Sequence, residues 1–199
     1  MPTLKQQILE QLAGLPEGAA LGAKELLHLG SRAALDQALS RLVRRGSLMR
    51  AGRGVYVRPI ETRFGVRAPS AEKVVEAIAS LRGETVVSHG AAAANALGLT
   101  TQVPVRVVYL TSGRSRHLKL GAQMVEMKHA PGWQLIKAGQ PAGEAVRALA
   151  WLGPAHASAA LKTLKQKLPE SEFRALGATR NALPGWLAEK VSAELVAND

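Results

Sequence analysis

Between Ser31 and Gly46 the sequence specifies a helix with both ends marked, and a glycine-rich hairpin follows at once. A serine hydroxyl is a good acceptor for the free amides of a first helical turn, and a glycine just past the last turn suits a helix stop. With Ala34 as origin and about 100° per residue, Leu35, Ala38, Leu39, Leu42 and Val43 fall within about half a turn. The opposite face carries Ala33, Gln37, Ser40 and Arg44 at its centre, with Asp36 and Arg41 at its margins. One side must bury against a core. The other is small, polar and basic, the composition suited to a major groove about 12 Å wide.

Past Gly46 come Ser47-Leu-Met-Arg50, the turn Ala51-Gly-Arg-Gly54, and Val55-Tyr-Val-Arg58. Two β-prone runs around a glycine-rich turn predict a hairpin with Arg53 at its tip. The segment Gly52-Arg-Gly54 lacks the pattern of a phosphate-binding loop and precedes a strand rather than a helix.

Charge concentrates in the same place. The chain has 199 residues and a formal net charge of +11. No acidic residue lies between Asp36 and Glu61, a stretch holding Arg41, Arg44, Arg45, Arg50, Arg53 and Arg58. Residues 1–67 carry 11 basic and 5 acidic side chains, and the other 132 residues carry 15 and 10. Charge density in the first third is thus about twice that of the rest, which points to a polyanionic partner, nucleic acid first.

Upstream, Thr3 is placed to cap a helix whose apolar face is Leu4, Ile8, Leu12 and Leu15, stopped by Pro16 and Gly18. A short second helix is predicted from Ala23 to Leu29, ending at Gly30. Three helices followed by a basic hairpin is the order of a winged helix-turn-helix. This reading gives an N-terminal DNA-binding domain over 1–60, a linker over 61–69 rich in Pro, Gly and charge, and an α+β domain over 70–199 with a helical C-terminus. Within the first domain Arg32 and the helix N-terminus are expected to anchor phosphate, and Gln37 and Ser40 to reach base edges. Arg44, Arg50 and Arg53 are expected to contact backbone.

In the second domain, Ser70 is predicted to cap a helix buried through Val74, Val75, Ile78 and Leu81 and closed by Gly83. Thr85–Val87 reads as a strand, and Ser88 as the cap of an alanine-rich helix ending near Gly98. Strands are expected over 105–111, 117–120 and 123–129, and helices from Pro141 onward, with Pro154 in a first turn. Arg114, Arg116 and Lys119 form a second basic cluster, open to nucleic acid, an acidic partner or solvent. Met124 and Met127 are expected to pack in a core, as are Trp133, Trp151 and Trp186 in a core or interface.

Catalytic signals are sparse. Ser88-His89 reads as a cap rather than a nucleophile and base, the histidines have no metal-ligand spacing, and Glu126 and Glu144 are isolated carboxylates. Zero cysteines exclude disulfides and thiolate metal sites. The polar N-terminus predicts no signal peptide, and no apolar run reaches the roughly 18 to 20 residues that span a bilayer. The expectation is a cytoplasmic, non-enzymatic protein with no membrane contact, cofactor or metal.

Two blocks carry a family resemblance. The run Leu42-Val-Arg-Arg-Gly-Ser-Leu-Met-Arg-Ala-Gly-Arg-Gly-Val-Tyr56 resembles the wing of the AbiEi family of abortive-infection antitoxins. The run Val86-Val-Ser-His-Gly-Ala-Ala-Ala-Ala-Asn-Ala-Leu-Gly-Leu-Thr-Thr-Gln-Val-Pro104, with Val107-Val-Tyr-Leu-Thr-Ser-Gly113 after it, resembles that family's helix-then-strand block. The likeness covers residues 4–130. It implies the antitoxin of a type IV toxin–antitoxin pair, whose winged domain represses its own promoter at inverted repeats and whose other domain opposes a nucleotidyltransferase-like toxin. Carried over, the DNA-binding positions are Ser31, Arg32, Gln37, Ser40, Arg41, Arg44, Arg50 and Arg53. Inverted repeats would match a homodimer on double-stranded DNA. Two further readings stay open: a winged-helix regulator whose second domain binds a small ligand or protein, and an enzyme tethered to DNA, which lacks the expected carboxylate pairs.

Overall fold

The protein is mixed α and β. The computed structural model describes residues 2–16 and 18–196, and the chain divides into two compact units, Met1–Glu84 with Arg116–Glu126, and Thr85–Ser115 with Met127–Asp199. Among the described residues no helix is long and apolar enough to cross a membrane.

The first unit opens with α1, Leu4–Ala13. Thr3 caps it through a reciprocal pair: its Oγ accepts from the Gln6 amide, and its own amide donates to the Gln6 side chain at 2.7 Å. Helix α2 spans Arg32–Arg44, with Ser31 Oγ accepting from the Ala34 amide at 3.3 Å. Leu35, Leu39 and Leu42 are its buried stripe, as the wheel requires. They share one core with Ile8, Leu12, Leu26, Leu48 and Tyr56. Strands β2 (Met49–Gly52) and β3 (Val55–Val57) pair antiparallel, with a register shift between Arg50 and Gly52.

Two features of this unit differ from the sequence reading. Ala23–Leu29 is a run of turns, not a helix, closed by bonds from Glu25 to Gly22, Leu27 to Lys24 and Leu29 to Leu26. Just before it, Ala20–Gly22 forms a strand, β1, on the free edge of β3, in register from Ala20↔Val57 to Gly22↔Val55. The Glu25 carboxylate accepts from the Gly22 amide and Ala23 donates to the Gly54 carbonyl, so the segment is held by sheet edge and side chain instead of by α-helical bonds.

The stretch read as a linker carries most of a second antiparallel hairpin, β4 (Ile60–Thr62) and β5 (Gly65–Arg67). Next comes α3, Ala71–Arg82, capped by Ser70, closed by Gly83 and buried through Val74, Val75, Ile78 and Ala79. Strand β8 (Arg116–Leu120) and the start of β9 (Gln123–His129) complete the unit. There the Arg116 guanidinium grips both carboxylate oxygens of Glu84, the two side chains being 15% and 13% exposed.

In the second unit β6 (Val86–Ser88) pairs antiparallel with β7 (Val107–Thr111), and the Ala130 amide just after β9 donates to the Thr111 carbonyl. Helix α4, Gly90–Ala96, is capped by His89, whose Nδ1 accepts from the Ala91 amide; Ser88, the expected cap, is the last residue of β6. After the short α5 (Gly132–Leu135), helices α6 (Pro141–Leu152), α7 (Pro154–Lys167), α8 (Glu170–Ala178) and α9 (Gly185–Val196) pack around Val146, Leu149, Leu161, Leu164, Phe173 and Leu187. Gly90 permits the close approach of α4 to α6: a Cβ there would stand 2.4 Å from the Arg147 carbonyl oxygen. Trp133 and Trp186 pack against this core, whereas Trp151 is 38% exposed. Met127 is fully buried as expected, but Met124 is exposed, because alternate residues of β9 face opposite ways.

Candidate nucleic-acid interface

The same stripe that buries Leu35, Leu39 and Leu42 leaves Gln37, Ser40, Arg41 and Arg44 facing outward on α2. With Asp36 they line one shallow surface hollow. A helix of this length extends about 20 Å and is about 10 to 12 Å across with its side chains, so its outer face matches a major groove in width. The hairpin follows directly. Leu48 and Ser47 both donate their amides to the Leu42 carbonyl, which fastens the entry to β2 onto the last turn of α2. Leu48 and Tyr56 then sit in the same core as the helix stripe, so helix and hairpin share one rigid base.

The sequence-derived residues divide by what they already touch. Gln37, Ser40, Arg41 and Arg44 are exposed on the α2 face, and Arg53 is exposed in the turn between β2 and β3. Arg50 is exposed as well, its Nε donating to the Gly52 carbonyl at 3.4 Å, a contact that leans the side chain along the turn. Ser31 is occupied as the helix cap. Arg32 donates through Nε to both oxygens of Asp36, at 3.2 and 3.1 Å, so the expected phosphate anchor is paired with a carboxylate one turn along.

The second basic cluster is divided between the two units, and its members differ in what they touch. Lys119 is exposed, while Arg116 is committed to Glu84 and largely buried. Arg114 belongs to the other unit.

Two further cations border this face. Lys5 and Arg45 line a groove with Thr3, Leu4, Gln37 and Arg41, formed where the start of α1 meets α2. Arg45 adjoins Arg44 in the sequence and was legible there. Lys5 was not, because its place beside α2 is set by helix packing. The second unit offers a different feature: an open, mainly apolar hollow lined by His89, Ala91, Ala92, Pro104, Val105 and Arg106. Among the described residues no three His, Asp or Glu side chains gather as a metal site.

The model of a family of unknown function, DUF6088, matches residues 7–173. No curated protein matches. Among solved structures, the chain is similar to the Rv2827c protein from Mycobacterium tuberculosis, at a TM-score of 0.51 and 15% identity, over 99% of this chain and 78% of that one. At that identity the likeness speaks for the fold.

Proposed function

We propose that this chain, which belongs to the DUF6088 family of proteins of unknown function, is a duplex-DNA-binding regulator that represses its own promoter through a winged helix-turn-helix. The observation that carries the reading is the outward face of α2, where Gln37, Ser40, Arg41 and Arg44 stand together above a buried leucine stripe. Helix α2 is the recognition helix and β2–β3 the wing. Gln37 and Ser40 read base edges, and Arg41, Arg44, Arg50 and Arg53 hold phosphates on either side. In chain order the run of turns at Ala23–Leu29 takes the position of that motif's second helix.

The resemblance to the AbiEi antitoxins at residues 42–56 and 86–113 supports a further step: the protein serves as the antitoxin of a type IV pair and opposes a nucleotidyltransferase-like toxin. The hollow beside His89 favours a second reading, a regulator whose second unit takes a small apolar ligand there. Footprinting on the DNA upstream of its own coding sequence tests the shared part of both. Protection of inverted repeats is the expected result, with Gln37→Ala relaxing the sequence preference and Arg44→Gln weakening binding to all sequences alike. Rescue of growth from the product of a neighbouring nucleotidyltransferase-type gene then separates antitoxin from ligand-responsive regulator.

A further inference from the structure

The hairpin β4–β5 does nothing visible for the core. Phe64 at its tip is 85% exposed and Val66 on its second strand 64%. An apolar ring left in water on a loose loop would be unremarkable, but this one is held there. Thr62 Oγ1 accepts from the Phe64 amide at 3.2 Å and donates to the Gly65 carbonyl at 2.8 Å, clamping the turn from both sides. Gly65 turns the chain at φ +110°, a conformation that L side chains rarely adopt. The Arg63 guanidinium lies 4.6 Å from the centre of the Phe64 ring. Arg63 stands at the tip, and Arg67 and Arg58 lie at and just before the base of the hairpin, against the single carboxylate of Glu61. The hairpin begins just beyond β3, in the unit that carries the basic α2 face.

An exposed aromatic ring on a rigid, cationic turn has the chemistry of a wedge for duplex DNA. The arginines meet phosphate oxygens and the ring enters between base pairs from the minor groove, where apolar side chains part a base step and bend the helix. We propose that Phe64 is such a wedge, and that β4–β5 forms a second DNA contact beside the helix and hairpin described above. This rests on the duplex-DNA reading. Charge decides for DNA over a protein partner: the net charge of +2 across the hairpin and its approach, residues 58–67, complements a polyanion.

The test uses the full chain and a duplex bearing a fluorescent adenine analogue that brightens when unstacked. Wild type should bind and brighten the probe. Phe64→Ala, at a site exposed enough to leave the fold intact, should abolish the brightening and weaken binding about tenfold with the salt slope unchanged, because a ring releases no counterions. Arg63→Gln should lower the slope by about 0.9. Wild-type binding without brightening, or equal affinity for Phe64→Ala, overturns the wedge and leaves the α2 reading standing. Absence of wild-type binding to any duplex overturns both. A change in sedimentation of Phe64→Ala with DNA affinity unaltered overturns the wedge by assigning the ring to a second copy of the chain.

Discussion

Asp36→Asn should make this protein bind DNA more tightly, which is the reverse of what most changes on a binding face do. Asp36 is the one carboxylate in the hollow formed with Gln37, Ser40, Arg41 and Arg44, and it holds Arg32 through two contacts of 3.2 and 3.1 Å. Both side chains are more than half exposed, at 56% and 53%, so the pair contributes at most about 1 kcal/mol to stability and its loss leaves the fold intact. Two effects then act in the same direction. The face loses a charge that repels phosphate, and Arg32, at the first turn of α2, becomes free to meet one. One added phosphate contact steepens the dependence of log affinity on log salt by about 0.9, which is about an eightfold gain at about 0.1 M salt. Fluorescence anisotropy of a labelled upstream duplex over a salt series measures slope and affinity together, with a thermal melt to establish that the variant is folded. A folded Asp36→Asn protein with unchanged slope, or with weaker binding, refutes the placement of this face against phosphate.

Three other outcomes follow from the packing. Leu39→Ala removes a fully buried side chain from the core shared by α1, α2 and the β2–β3 hairpin, and should lower unfolding free energy by about 2–5 kcal/mol in urea titration. Gly90→Ala would place a methyl 2.4 Å from the Arg147 carbonyl oxygen and 2.6 Å from Trp151 Cβ; forcing α4 off α6 should cost about 1–3 kcal/mol, read by a melt that follows tryptophan fluorescence. Arg147 is 2% exposed, its Nε finds no hydrogen-bond partner among the described residues, and burial pulls its guanidinium below the usual arginine range, partly offset by Glu144. Arg147→Met should therefore be neutral or stabilising in the same melt, since a hydrophobe of similar volume removes the cost of desolvating the charge.

What could be read from the sequence was what local chemistry decides. Helices α2 and α3 begin at Ser31 and Ser70 and stop at Gly46 and Gly83, because a hydroxyl before an apolar stripe and a glycine after it act over a few residues. The exposed arc of Gln37, Ser40, Arg41 and Arg44 followed from the same periodicity. What failed depended on partners distant in sequence. Ala20–Gly22 is a strand only because Val55–Val57 offers an edge, and that pairing left Ala23–Leu29 as turns. Arg116 looked like a surface cation until Glu84, 32 positions away, took it. The β4–β5 hairpin was hidden by Pro59 and by charge, although Ile60, Thr62 and Val66 around Arg63-Phe-Gly65 are β-branched residues flanking a turn. The Arg32–Asp36 pair lay in plain view at helical spacing of four, yet its bearing on the site required the two side chains to be seen joined.

If, as proposed, α2 and the β2–β3 turn present their arginines to the backbone of duplex DNA, binding must depend steeply on salt. Four phosphate contacts, from Arg41, Arg44, Arg50 and Arg53, predict a slope of about −3.6 for the wild-type chain on its upstream duplex, before any contribution from other cations. Replacing Arg44 and Arg53 together by glutamine should flatten that slope by about 1.8 while the melting transition stays in place. A folded double variant with the wild-type slope would show that these arginines do not meet the DNA backbone.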